Sequence, residues 1–334
     1  MNEYETIAAI ASRFRRSPEQ LNAPFESDAE FIRVGGAVWG LTVDEFSEKE
    51  DLFTSADPDL LGANLAVATL SDLLAAGVEP RFMLHSISLP ADVSADFVSA
   101  LCGGLSRILD SAGCAEVAPA QRTAGEWRYA GFAMGPLAAR TPLKRVLPAV
   151  EQDLWISGAL GHMNAAALTG APTPALELRV NAAALAREAA VAGTDTSGGL
   201  ADALWMMRRA SPGMRLEVEL PAIPYSEGVK QACAAIGAPP ESALFGGAGE
   251  YELLFSFPAG DGGTLAAKCA RAGLTRIGRA FPSNEAGVFF AAADARALPM
   301  TCPPPCPREA RDAGQHALAA VAEAKRLLAG REGK

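Results

Sequence analysis

Four aspartates in this chain occupy local settings that suit phosphate chemistry through a hard metal ion. Asp28 precedes an apolar strand pattern, Asp44 ends one, and Asp72 sits inside an apolar helix pattern. Asp195 lies in Gly193-Thr194-Asp195-Thr196-Ser197-Gly198-Gly199-Leu200, a tight loop opening a helix. The first N–H groups of such a helix are free to receive an anion. Carboxylates beside a phosphate seat are what magnesium-bridged phosphoryl transfer requires, because the metal neutralises phosphate charge and takes hard oxygen ligands. Taken singly, each acid is more often a cap or an ion pair. Asp72 is the most constrained of the four. A buried, unpaired carboxylate is costly, so this one needs a cation, a metal or strong donors beside it.

The elements that must position these acids are partly written in the sequence. Asp57 and Pro58 form a helix start, Gly77 follows its last turn, and Leu, Ala and Val fill most of what lies between. Ahead of it, Gly35-Gly36 between two apolar runs predicts a hairpin whose second strand delivers Asp44 to its end. A strand over 81–89, a helix from Ser94 to about 111, and strands over 115–118 and 127–135 follow. A composition shift over 136–153 marks a boundary. Beyond it come a strand over 154–158, mostly helix to about 209, and strands over 216–220, 251–257 and 275–279. A Pro-rich joint and a charged surface helix over 308–328 close the chain. Strands and helices mix without a regular βαβ rhythm, which predicts an α+β fold. The expected division is 1–140, 141–300, and a joint with terminal helix over 301–334.

Composition bounds the partners. The chain has 334 residues, 49% of them hydrophobic and 20% charged, enough for two cored domains. Its formal net charge of −10 argues against a nucleic-acid partner, although a metal-neutralised polyphosphate remains compatible. The amino terminus lacks signal-peptide features, and Asp72 interrupts the longest apolar run, so a cytoplasmic, non-membrane protein is expected. Cys102, Cys114, Cys233, Cys269, Cys302 and Cys306 lack metal-site spacing and read as free thiols. His85, His162 and His316 are scattered and read as structural. A Gly-x-x-x-x-Gly-Lys-Ser/Thr loop, a dinucleotide Gly-x-Gly-x-x-Gly and a Gly-x-Ser-x-Gly elbow are all absent.

The order of segments resembles the thiamine-monophosphate kinase family, in the superfamily of aminoimidazole ribonucleotide synthetase, selenophosphate synthetase and a hydrogenase maturation factor. Ser27-Asp28-Ala29-Glu30 is similar to that family's Gly-Asp-Asp-Ala, and Val43-Asp44-Glu45 to its Thr-Asp-Thr. Leu70-Ser71-Asp72-Leu73 and Gly77-Val78-Glu79-Pro80-Arg81 resemble its Leu-Ser-Asp-Leu and Gly-Ala-Glu-Pro-Arg. Asp195-Thr196-Ser197-Gly198-Gly199-Leu200 resembles Asp-Ile-Ser-Asp-Gly-Leu, and Glu250-Tyr251-Glu252-Leu253-Leu254-Phe255 resembles Glu-Asp-Tyr-Glu-Leu-Leu-Phe. The match runs to about residue 290.

The resemblance implies a two-domain fold, a sheet-and-helix dimerisation domain followed by an α/β sandwich, acting as a homodimer. It implies ATP-dependent phosphorylation of thiamine monophosphate to the diphosphate, a step of thiamine biosynthesis. Asp28, Asp44, Asp72 and Asp195 would hold Mg2+; Val43, Arg145 and Ser197 would contact the nucleotide. Asp51 stands where the family contacts substrate through histidine. Expected acids are replaced by Ala120, Gly198 and Gly249, and the family's carboxyl-terminal aromatic residue has no counterpart. Losing one charge contact of this kind costs about two to three decades in rate. The departures imply slower turnover. They also leave two alternatives: a non-catalytic paralogue that binds a nucleotide or phosphometabolite, and a superfamily enzyme with another acceptor.

Overall fold

The structure is a computed structural model that describes residues 3–53, 56–260, 263–294, 296–305 and 313–329. Cys306 and the start expected for the last helix lie outside these residues. Helix α1 (Glu3–Ala11) precedes a hairpin of β1 (Glu30–Val34) and β2 (Ala37–Ser47), turned by Gly35 and Gly36 at positive φ. Next come α2 (Pro58–Ala75), β3 (Phe82–Leu89), α3 (Ala95–Ala112), β4 (Ala115–Thr123) and β5 (Arg128–Pro136). These five strands form one sheet in the order β1-β2-β5-β3-β4. Only β3 and β4 pair in parallel, joined by the α3 crossover.

The remaining strands build a second sheet. In chain order they are β6 (Gln152–Ser157), α4 (His162–Thr169), α5 (Val180–Ala189), β7 (Ala192–Asp195), α6 (Leu200–Ala210) and β8 (Met214–Glu219). Then follow α7 (Val229–Ala235), α8 (Ser242–Phe245), β9 (Leu253–Pro258), α9 (Thr264–Arg271), β10 (Leu274–Pro282), β11 (Gly287–Ala291), β12 (Ala297–Met300) and α10 (Ala313–Ala329). The sheet order is β12-β11-β8-β10-β6-β9-β7. The fold is α+β, as the mixed pattern predicts.

Helix α2 ties the two sheets together. Asp57 caps it by accepting from the Leu60 N–H at 3.1 Å, with Pro58 in the first turn. It packs against β2, β5 and α3 on one side and β7 and β9 on the other. This explains why it is apolar all round. One continuous core therefore runs from Leu65 and Leu70 on α2 to Trp155, Phe255 and Phe257 on the second sheet. The α2–α3 crossing is close enough that a Cβ on Gly104 would lie 1.9 Å from the Asp59 carbonyl oxygen.

Several elements differ from the sequence reading. Asp44 lies three residues inside β2, not at its end, because pairing with β5 continues to Ser47. Strand β7 is hidden in a helix-rich stretch, being only four residues long. Strands β11 and β12 fill the stretch between the last expected strand and the joint at 301, with Pro299 on the edge strand, where a missing N–H costs no ladder bond. Helix α10 is not simply a surface helix. Ala320, Ala324 and Leu327 form an i, i+4, i+7 stripe buried in the second sheet's core. Cys102, Cys114, Cys233, Cys269 and Cys302 are free thiols. Among the described residues, no helix is long and apolar enough to cross a membrane.

Candidate metal and phosphate site

Three of the four aspartates converge. Oxygen atoms of Asp28, Asp72 and Asp195 all lie within 4.8 Å of one another. They arrive from the loop before β1, from α2 and from the last residue of β7. Convergence depends on β7 approaching the carboxyl end of α2. A Cβ on Gly193 would sit 2.4 Å from the Ala75 carbonyl oxygen, so only glycine permits this approach. The contact is then pinned by the Ser71 hydroxyl, which donates to Asp195 Oδ2 at 2.7 Å.

Each carboxylate is held differently. Ser197 donates to Asp195 Oδ1 from both its N–H, at 3.1 Å, and its hydroxyl, at 2.7 Å. The Thr42 hydroxyl donates to Asp72 Oδ2 at 2.5 Å. Asp28 Oδ1 accepts from Arg145 Nη2 at 2.5 Å and from the Thr194 hydroxyl at 3.1 Å. Asp28 Oδ2 is buried and accepts from nothing among the described residues. Asp44 shares the Thr42 face of β2, one pleat further along, and stands next to the cluster.

The electrostatics favour a cation. Burial raises the Asp72 carboxyl well above its ordinary range, and the charges of Asp44, Asp195 and Asp28 push it further. Burial likewise lifts Asp28 to about 6, although Arg145 opposes the shift. One guanidinium thus faces three carboxylates, leaving negative charge for a divalent ion to balance. The donors are all oxygen, which suits magnesium. The orphaned Asp28 Oδ2 supplies a ligand atom with no competing partner.

The other expected residues fall around this cluster. Arg145 is held by Asp28 and by Thr194, whose Oγ1 accepts from Nε at 3.1 Å. Ser197 precedes α6, whose amino terminus carries no side-chain cap. Val43 faces away from Thr42 and Asp44, with 70% of its surface exposed. Asp51 accepts from the Ser47 N–H at 2.7 Å and so closes the turn after β2. Ala120 lies on β4, away from the three aspartates, and lines a cavity under α3. A Cβ on Gly198 would meet Asp202 Oδ2 at 2.5 Å, so an α6 carboxylate already fills the space of the absent acid. Positive φ belongs to the neighbouring Gly199.

Thr42, Ser71 and Thr194 are the functional neighbours that sequence reasoning misses. Each lies within two residues of a key aspartate, but its bond runs to an acid on another element. Tyr251 is the fourth. It holds a left-handed backbone, φ 52°, and stacks on Phe53 at 6.3 Å. Asp44, Asp195, Asp51 and Asp72 all act on its phenol, which burial already keeps protonated.

Residues 26–135 match the family AIR synthase related protein, N-terminal domain. Thiamine-monophosphate kinase of Pyrococcus abyssi is 26% identical over 271 residues, 77% of this chain and 83% of that protein. Residues 26–135 thus carry an AIR synthase-type domain, and the chain as a whole is similar to thiamine-monophosphate kinases. The thiamine-monophosphate kinase of Archaeoglobus fulgidus is 30% identical over 158 residues, covering 47% of this chain and 51% of that one. Solved structures share this fold across both sheets. AaThiL complexed with AMPPCP and TMP aligns with a TM-score of 0.71 at 21% identity, covering 88% of this chain and 94% of that one. Hydrogenase maturation protein HypE in complex with ATP aligns at 0.64 and 19% identity, covering 85% and 92%.

Proposed function

We propose that this protein is a phosphotransferase that moves the γ-phosphate of ATP to the phosphate of thiamine monophosphate. The observation that carries this reading is the convergence of Asp28, Asp72 and Asp195, with one buried carboxylate oxygen unpartnered. These residues, with Asp44, would hold magnesium. The bound ion would neutralise charge on the transferring phosphate. The protein's own part is orientation: Thr42, Ser71, Thr194 and Ser197 fix the carboxylates before any ligand arrives. Arg145 stands ready to exchange its bond to Asp28 for a phosphate oxygen, and the uncapped start of α6 offers N–H groups to the same anion. A relative named thiamine-monophosphate kinase and two structural neighbours, one complexed with AMPPCP and TMP and one with ATP, support the choice of ligands.

The same reading assigns 1–140 to nucleotide binding and dimerisation, 141–300 to a second domain, and Val43 and Asp51 to nucleotide and substrate contacts in a cytoplasmic homodimer. The outer face of the first sheet supports the dimer. Val43 and Phe82 are 70% and 41% exposed there, with Trp39 stacked on Phe82. A non-catalytic nucleotide-binding role is the second reading, favoured by the acids absent at Ala120, Gly198 and Gly249. Calorimetric titration with a non-hydrolysable ATP analogue, with and without magnesium, tests the site. A product assay with thiamine monophosphate then tests the reaction. Magnesium-dependent binding with turnover below the usual range of about 1–100 s⁻¹ is expected. Binding without product supports the second reading, and absence of binding rejects both.

A further inference from the structure

Helix α10 packs on α8, α4 and β12 and carries one buried polar side chain, His316, only 6% exposed. Its Nε2 accepts from the Gly247 N–H at 2.8 Å. A ring nitrogen that accepts carries no proton, so the proton of the neutral ring sits on Nδ1. Burial favours that neutral form. Nδ1 is itself buried with no hydrogen-bond partner among the described residues. The ring thus leaves one donor unsatisfied, at a cost, while it holds one backbone N–H of a loop. That is a poor bargain for stability alone and points to a task at the loop.

The loop is the segment 246–252, between α8 and β9, and it leads into the site. The Ala248 N–H donates to Asn164 Oδ1 on α4 at 2.9 Å. The Glu250 N–H donates to the Thr196 carbonyl at 3.3 Å, and the Glu252 N–H to Thr196 Oγ1 at 2.9 Å. Thr196 directly follows Asp195. At its near end the loop abuts the uncapped start of α6, where a Cβ on Gly199 would lie 2.2 Å from the Gly246 carbonyl oxygen. At its far end Gly249, at φ 84°, passes against the Tyr251 ring, where a Cβ would meet Cε2 at 2.4 Å. Glycine alone permits both approaches.

We propose that His316 is a positioning residue: through Gly247 it seats the loop, and the loop sets the start of α6 and Tyr251 against the aspartate cluster. Helix α10 thereby acts on the site without touching it. The consequence for nucleotide binding rests on the phosphotransferase reading, whereas the coupling of α10 to α6 does not.

Amide hydrogen exchange, read by peptide mass spectrometry on the full chain, tests the coupling. His316→Leu removes the acceptor, and His316→Gln keeps one. His316→Leu should speed exchange about tenfold in 246–252 and also in 196–202, with 58–75 unchanged. His316→Gln should stay within about threefold of wild type in both segments. Because coupling is reciprocal, saturating magnesium and AMPPCP should slow exchange in 246–252 of the wild-type chain. Magnesium-dependent affinity for AMPPCP should fall about tenfold in His316→Leu and recover in His316→Gln, as calorimetry would show. Faster exchange confined to α10 and 246–248 would make His316 structural and overturn the proposal, as would a His316→Leu chain that does not fold. Unchanged AMPPCP affinity in His316→Leu, or no protection of the wild-type loop at saturation, overturns it too. A wild type that binds no AMPPCP rejects the phosphotransferase reading instead, and exchange in 196–202 still decides the coupling.

Discussion

Asp72 shows how a residue costly to the fold can belong to a proposed metal site. Its carboxyl is held above its ordinary range by burial and by three neighbouring acids, so removing its charge relieves repulsion. Asn in its place still accepts from the Thr42 hydroxyl. Asp72→Asn should therefore match or exceed wild-type thermal stability while weakening magnesium-dependent nucleotide binding by about 100-fold, as calorimetry would show. A large loss of melting temperature with binding intact would mark Asp72 as structural. Glu250 gives a separate prediction. It is 2% exposed, accepts at Oε1 from the Asn164 N–H and side-chain amide, both at 2.9 Å, and leaves Oε2 unpartnered. Burial lifts its carboxyl from 4.5 to about 7 against the pull of those backbone donors. Between these values the folded chain keeps a proton that the unfolded chain has released, so stability falls as pH rises through that window. The total is about 3 kcal/mol. Glu250→Gln should equal wild type near pH 4 and exceed it by about 1–3 kcal/mol at pH 8 in urea unfolding.

At the scale of elements, the position of Asp72 rests on the crossing of α2 and α3. Gly62 and Gly104 form this contact: a Cβ on Gly62 would lie 2.0 Å from the Leu101 carbonyl oxygen. The Arg107 guanidinium spans the same crossing, donating two bonds to Asp59 at 2.8 and 2.7 Å. Neither backbone can retreat without dragging a whole helix. Gly104→Ala should therefore cost about 3 kcal/mol or more in denaturant unfolding, at the upper end for overpacking. Arg107→Ala removes only an exposed pair and should cost under about 1 kcal/mol. Equal effects of the two substitutions would show that the ion pair, not the glycine contact, sets the crossing. Much of this element was legible, since the Asp57-Pro58 start and Gly77 stop bracket α2 closely. Its partner was not. Glycines 62 and 104 carry no local signal of this contact, which exists only once the two helices are laid together.

The whole molecule is two sheets sharing the core on either side of α2, with one sheet face left open. Outer-face Val43, Phe82 and Trp39 line that open surface, which a second copy would cover in the proposed dimer. Sedimentation should give a dimer for the wild-type chain at micromolar concentration. Val43→Glu should give a monomer with a normal far-ultraviolet circular dichroism spectrum. A monomeric wild type, or a dimer unchanged by Val43→Glu, rejects this pairing.

By itself the sequence determined the ends of α2, the hairpin and the α+β class, because caps, turn glycines and apolar periodicity are local signals, and it named the acids proposed to hold a metal. It could not show that Asp28, Asp72 and Asp195 meet, since their approach depends on β7 sliding against α2 at Gly193. It could not show that Asp202 fills the space beside Gly198, or that Thr42 and Ser71 hold carboxylates from other elements. Short strands such as β7 and β12 escaped for the same reason. Their residues carry weak local preference, and the ladder bonds of neighbouring strands decide their conformation.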